Sequence, residues 1–248
     1  MKQFLLDLLV AFQFMTRLPL RAVGFHPDAL ARAAKFFPII GMVIGLIASV
    51  MSHLLSPHLG RTLTALLVLV FLVLVTGALH EDGLADAADG LGGGWDRGQV
   101  LAIMRDSRIG SYGTLALILS IAARLFLLAT LPLSRWMAFV VSTQVLCRWT
   151  MLPLSYWLRP AREEDGQGAR VAQKVSAASL FIGTLFSIAI VWYFLRAAFW
   201  IPVLAASVVT LLSGLYYARR IGGVTGDCFG ATNQLTEIAV YFCGVWNL

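Results

Sequence analysis

Six apolar runs, each long enough to cross a bilayer as a helix, leave this chain few ways to fold. They fall at about 36–55, 62–79, 111–133, 136–158, 177–196 and 199–217. Backbone inside hydrocarbon must satisfy its own N–H and C=O groups, so runs of this length are helices and not isolated strands. With 59% hydrophobic and only 13% charged residues, and a mean hydropathy of +0.81, the 248-residue chain is not a water-soluble globule. The expected fold class is all-α: a polytopic integral membrane helical bundle of about six to seven transmembrane helices, the last an amphipathic or re-entrant stretch near 234–247. No repeat or low-complexity tract divides the chain, which predicts a single membrane-embedded domain over 1–248.

Tight connections lie at 56–61, 133–136 and 196–199, and long polar ones at 80–110, 159–176 and 218–233. Basic residues separate the two sets. Lys2, Arg17, Arg21, Arg32, Lys35, Arg97, Arg105, Arg108, Arg159, Arg162, Arg170, Lys174, Arg219 and Arg220 lie on the side of the long connections, against Arg61, Arg135 and Arg196 on the other. The positive-inside rule then places the N-terminus and every long connection in the cytoplasm. The net charge of +6 is spread over loops with no basic run, so lipid headgroups account for it and no nucleic-acid partner is expected. Cys147, Cys228 and Cys243 have no metal-ligand spacing and read as buried thiols, and His26, His53, His58 and His80 show no zinc pattern. The first 35 residues carry charges and no small-residue cleavage site, which predicts a retained, partly interfacial segment. Arg124 and Arg148 fall inside spans, where a charge is costly and faces a cavity or a partner. For Arg148 the expected partner is an anionic substrate or an intramembrane carboxylate.

Against this background, six of thirteen carboxylates gather between Glu81 and Asp106. Asp82, Asp86 and Asp89 are spaced i, i+4, i+7, which on a helix puts them on one face. Carboxylates that close repel unless a cation sits among them, and hard oxygen donors favour Mg²⁺. Glu81 joins Asp82, Asp86 and Asp89 as an expected metal ligand. An acidic, solvated helix end would be the plain alternative, but the intervening positions are Leu84, Ala85, Ala87 and Ala88. Downstream, Arg105, Asp106 and Arg108 precede Gly110 and Gly113 at the start of a span, an arrangement suited to binding phosphate oxygens. Gly222-Gly223-Val224-Thr225-Gly226-Asp227 opens the last apolar stretch, followed by Asn233 and Glu237. Asp82, Asp86, Asp89 and Asp227 are the candidate catalytic residues. Arg105, Asp106, Arg108, Gly226, Arg148 and Glu237 are the candidate substrate-binding ones. Together they describe phosphoryl transfer: carboxylate-held metal on a diphosphate, arginines offsetting charge, and direct attack by an alcohol. No Walker-type loop, Cys–His pair or serine nucleophile motif accompanies them.

His80-Glu81-Asp82-Gly83-Leu84-Ala85-Asp86-Ala87-Ala88-Asp89-Gly90, Ile103-Met104-Arg105-Asp106-Ser107-Arg108-Ile109-Gly110 and Gly222-Gly223-Val224-Thr225-Gly226-Asp227 closely resemble the cobalamin synthase family, the adenosylcobinamide-GDP ribazoletransferases. Thr16-Arg17-Leu18-Pro19 and Phe36-Phe37-Pro38-Ile39-Ile40-Gly41 look like the same family. The resemblance implies a multi-pass enzyme of the inner (plasma) membrane, its active site facing the cytoplasm. It implies transfer of adenosylcobinamide phosphate from adenosylcobinamide-GDP to α-ribazole or its 5′-phosphate, with Mg²⁺ and release of GMP. In this chain it makes Asp82, Asp86 and Asp89 ligands of metal and diphosphate, sets Arg105, Asp106 and Arg108 in the same pocket, and has Asp227 close the site. The partners it implies are those small molecules and membrane lipid, with a homo-oligomer or a complex with other corrinoid-pathway enzymes left open. Asp86-x-x-Asp89-Gly90 is also similar to the CDP-alcohol phosphotransferases acting on lipid, but their Ala-Arg after that glycine and their later paired aspartates are missing. An ion-coupled transporter is the more distant alternative. It would set its acids near the midplane in two halves of a repeat.

Overall fold

The computed structural model describes residues 2–18, 27–162 and 175–246, and these are almost entirely helical. Pro19, Arg21, His26, Arg170 and Lys174, named above, lie outside the described residues. The chain begins with α1 (Lys2–Met15), α2 (Pro27–Ala33) and a 3-10 turn at Ala34–Phe36. Asp7 ties these together: it is buried, and it pairs with Lys35 Nζ at 3.1 Å and Arg32 Nε at 3.5 Å.

The next element, α3 (Phe37–Thr76), is 40 residues long. In line, those residues would hold its ends about 60 Å apart. Yet Phe37 stacks on Phe14 with ring centroids 5.5 Å apart, and Val75 O accepts a hydrogen bond from the nearby Arg17 N. Both ends of α3 therefore meet the end of α1, and the chain reverses between them. The reversal sits at Gly60, with φ +69° and ψ +173°, a region open essentially to glycine alone. The runs read at 36–55 and 62–79 are the two arms of this hairpin. A Cβ at Gly60 would meet nothing within 4 Å, so Gly60→Ala tests backbone strain by itself. It is expected to lower unfolding stability in detergent by about 1–3 kcal/mol, read from the midpoint of denaturation.

After α4 (Leu79–Gly93) and α5 (Arg97–Ile103) come α6 (Ser111–Thr130), α7 (Leu133–Trp149) with its continuation α8 (Met151–Trp157), α9 (Ala177–Leu195), α10 (Trp200–Ile221) and α11 (Gly226–Val245). Among the described residues five helices are long and apolar enough to cross a membrane, the α3 hairpin counting once. Dividing α3 at Gly60 recovers the six expected runs, and the fold is the all-α membrane bundle that the sequence implies. The α7–α8 span is the centre of the bundle: 83% of its membrane window is buried within the protein, against 22–33% for the other spans. A helix walled by protein instead of lipid can carry Gln144 and Arg148, because neighbouring helices supply their partners. The seventh stretch, α11, begins at Gly226, earlier than 234, because Thr225 caps it by accepting a hydrogen bond from Cys228 N.

Candidate active site

The three long connections are fastened together at one end of the bundle. Arg97 donates to the carbonyls of Ile221 and Ala161, Arg162 donates to Leu101 O, and Arg220 donates to Leu91 O and Gly94 O at the end of α4. Ala161 N and Val224 O, and Val224 N and Arg159 O, complete a short two-sided pairing at 2.9 Å each. At the opposite end Arg61 reaches Leu131 O, linking the Gly60 reversal to the α6–α7 turn. The arginines that the sequence assigns to one membrane face thus also act as fasteners of its loops.

On that face α4 crosses α11 at two glycines. A Cβ on Gly83 would sit 3.1 Å from Asp227 Cα and Gly230 Cα, and one on Gly230 would sit 3.0 Å from Gly83 Cα and His80 O. Only at such a bare crossing can the backbones come this close, and the consequence is that Asp82 and Asp86 on α4 stand beside Asp227 on α11. Burial and then the neighbouring charges of Asp227, Asp82 and Asp89 push the Asp86 carboxyl up to about 6, with Arg162 opposing. The Asp227 carboxyl is also raised, by burial first and by Asp82, against the pull of Arg162 and a 3.1 Å hydrogen bond from Thr225 Oγ1.

Asp89 has a different environment. It is buried, and its Oδ2 and Oδ1 accept from Gly110 N at 2.7 Å and Gly113 N at 2.9 Å, so it docks the start of α6 onto α4. Glu81 points away from the stripe. Its Oε1 accepts from Arg124 Nη1 at 3.0 Å and Gln234 Nε2 at 3.2 Å inside the bundle, instead of joining Asp82 and Asp86. The reason is angular: adjacent helical residues are about 100° apart, so Glu81 cannot share the face of Asp82. Among the described residues no three of the His, Cys, Asp and Glu side chains are grouped to hold a metal ion. The three-carboxylate cage expected of Asp82, Asp86 and Asp89 is therefore not formed by the protein alone. Mg²⁺ is usually held by one or two carboxylates with substrate phosphates and water, and the mutual repulsion among Asp82, Asp86 and Asp227 suits them to that share.

Two cavities flank this cluster. An open cleft of about 740 Å³ is lined by Gly98, Leu101, Arg105, Asp106, Ala161 and Arg162, and Arg162 is the cation that opposes the raised carboxyls of Asp86 and Asp227. The second, a pocket of about 160 Å³, has Asp82, Gly226 and Asp227 at its polar side. Arg105 and Asp106 are thus on the cleft, while Arg108 is 87% exposed and chelates Asp106 through Nε and Nη2. Those hydrogen bonds hold the Asp106 carboxyl down at about 2.

Arg148 and Glu237, expected at the substrate, lie instead in the core. Arg124 Nη1 bonds Glu81 and, at 3.4 Å, Glu237; Gln144 Nε2 donates to Glu237 at 3.1 Å, and Gln144 Oε1 accepts from Arg148 Nη1 at 2.7 Å. Two arginines and two glutamates from α4, α6, α7 and α11 therefore balance within one buried network. Arg148 Nη1 itself bonds Gln144 and Cys147 and not a carboxylate, so Gln144 stands between it and Glu237. Arg162 and His80 are functional residues that the sequence does not single out: Arg162 is one of many loop charges there, and His80 a histidine without a zinc pattern. Burial, with Arg148 and Arg124 adding, pushes His80 down to about 3, so its imidazole is neutral.

Comparison with known proteins places the chain in a family. The chain is 41% identical to an adenosylcobinamide-GDP ribazoletransferase of Sinorhizobium medicae, covering 96% of this chain and 95% of the relative. It is 34% identical to one of Thermoanaerobacter pseudethanolicus, over 96% of each chain, and 37% identical to one of Shewanella frigidimarina, over 94% and 91%. No solved structure matches. The family model described as cobalamin-5-phosphate synthase matches residues 7–245, which takes in Asp82, Asp86, Asp89 and Asp227 and all but the ends of the bundle, and the chain belongs to that family.

Proposed function

We propose that the protein is a multi-pass transferase that moves adenosylcobinamide phosphate from adenosylcobinamide-GDP to a ribose hydroxyl of α-ribazole or its 5′-phosphate, releasing GMP. The observation that carries the reading is the Gly83–Gly230 crossing, which sets Asp82 and Asp86 beside Asp227 between a basic cleft and a smaller pocket. Arg105 and Arg162 draw the anionic donor into the cleft. Asp82 and Asp86 supply the oxygen donors for Mg²⁺, and Asp89 supports them by fixing α6 against α4. Bound there, Mg²⁺ would offset the diphosphate charge and the charge gathering on the departing GMP. Asp227, with its raised carboxyl, takes the proton as the hydroxyl oxygen forms its bond to the cobinamide-side phosphorus and the bond from that phosphorus to the GMP oxygen breaks. The basic balance of the loops supports a cytoplasmic location for this face, in the inner membrane.

The test is GMP release by purified protein in detergent with Mg²⁺, adenosylcobinamide-GDP and α-ribazole; no GMP above a donor-only control would overturn the reading. EDTA is expected to abolish turnover and Mg²⁺ or Mn²⁺ to restore it. Asp86 gives a second readout of the ion. Its carboxyl lies near 6 in the folded protein and at an ordinary 3.8 when unfolded, so between about 4 and about 6 the folded form holds a proton the unfolded one has lost. Stability in EDTA is therefore expected to fall as pH rises toward and through 6. Mg²⁺ should cancel that fall, and Asp86→Asn should reduce it to the part that the raised Asp227 carboxyl contributes. A pH-independent melting midpoint in EDTA would refute the coupling.

A further inference from the structure

The pocket of about 160 Å³ is walled by Phe14 of α1, Leu79, His80 and Gly83 of α4, Met151 of α8 and Phe229 of α11, beside Asp82 and Asp227. Sites that enclose a whole drug-sized ligand run to roughly 300–1,000 Å³, so this one takes a fragment about the size of a fused ring pair. Its walls are aromatic and thioether surface, and among the described residues no Lys or Arg lines it, unlike the cleft across the carboxylates. His80 is one of its lining residues, 4% exposed, with Nε2 buried and without a hydrogen-bond partner. A buried polar atom left unpaired is costly, and a ligand able to pair with it would recover that cost. The anionic donor belongs with Arg105 and Arg162, and an uncharged aromatic heterocycle belongs here.

Building on the proposed function, we propose that this pocket seats the fused aromatic base of the acceptor nucleoside, with His80 Nε2–H donating to the base's unsubstituted ring nitrogen. The sugar then projects toward Asp227 and Asp82 at the polar side, where its hydroxyl meets the phosphate held from the cleft. His80 is on this account a specificity residue for the acceptor. Phe14 and Phe229 are its apolar walls.

The experiment compares α-ribazole with its indole analogue, in which CH replaces that ring nitrogen, as ligands in equilibrium dialysis and as acceptors in turnover. Wild type is expected to bind α-ribazole about tenfold more tightly than the analogue, the effect of one hydrogen bond. In His80→Leu the preference should vanish, with the KM for adenosylcobinamide-GDP unchanged. His80→Gln, which keeps a donor, should retain part of it and serves if the leucine variant does not fold. A tenfold preference that survives in both variants, or a wild type without one, overturns the pocket assignment whether or not GMP is released. Discrimination that depends on His80 in dialysis, without any GMP release, would support the pocket and sink the transfer reaction instead.

Discussion

Changing Asp227 to asparagine is expected to lower kcat by roughly 10²–10⁴-fold, the usual contribution of a positioned general base, while the KM for the donor stays near its original value. Asp82→Asn should fail differently. It removes a charge that helps hold the ion, so the Mg²⁺ concentration needed for half-maximal rate should rise, and the rate at saturating Mg²⁺ should still fall by about 10³-fold, equivalent to several kcal/mol of lost stabilisation. Neither change should unfold the protein, because Asp82 is exposed and Asp227 half-buried, and relieving repulsion beside Asp86 is favourable. Steady-state GMP release against Mg²⁺ and donor concentration, with a melting curve for each variant, separates the two roles. Full activity in both would refute the site. A shared loss with an unaltered Mg²⁺ requirement would remove Asp82 from the ion.

Asp89→Asn occupies a third position, since Asp89 accepts two backbone N–H groups at the start of α6. Its loss should show as lowered stability together with lowered activity, which a ligand at the open edge of the site would not produce.

The acidic helix was legible because carboxylates are conspicuous in a chain with only 13% charged residues, and their i, i+4, i+7 spacing is a statement about one helix. Asp227 was legible for the same reason, an acid in a glycine-dense turn. What could not be read is which faces meet. Gly83 and Gly230 look like two of 22 glycines until the crossing of α4 and α11 shows that both must lack a Cβ. Glu81 is adjacent to Asp82 in sequence, but the helix turns it into the bundle toward Arg124. Arg148 stands out by the cost of a charge in a span, and Glu237 by its place one turn after Asn233 on the last apolar stretch, but a buried charge is offset equally by substrate or by protein. The deciding partner, Gln144, carries no charge to draw attention and sits 93 residues from Glu237. Nothing next to Arg162 or His80 in sequence tells which cavity each lines: the cleft joins 98–106 to 161–162, and the pocket joins α1, α4, α8 and α11.

The largest effect on folding is expected at Arg124. It is 1% exposed in the middle of a span, and its Nη1 faces Glu81 and Glu237 from two other helices. Replacing it with methionine keeps much of the volume and leaves two glutamates with only Arg148, one residue removed through Gln144, to balance them. Breaking a buried pair in this way costs about 3–5 kcal/mol, because the remaining charge is left without compensation, and that is a large part of the 5–15 kcal/mol that holds a typical domain folded. Arg124→Met should therefore lose its melting transition in detergent or show it strongly lowered. The cause can be isolated by restoring neutrality: adding Glu81→Gln and Glu237→Gln removes the stranded charges and should recover most of the stability, although each amide is a weaker partner than the carboxylate it replaces. Recovery in the triple variant would show that charge balance, and not the shape of the arginine, is what the four helices require. If Arg124→Met melts as wild type does, the network is not what joins α4 and α6 to α11; if the triple variant is no better than the single one, the arginine acts through packing and its hydrogen-bond geometry.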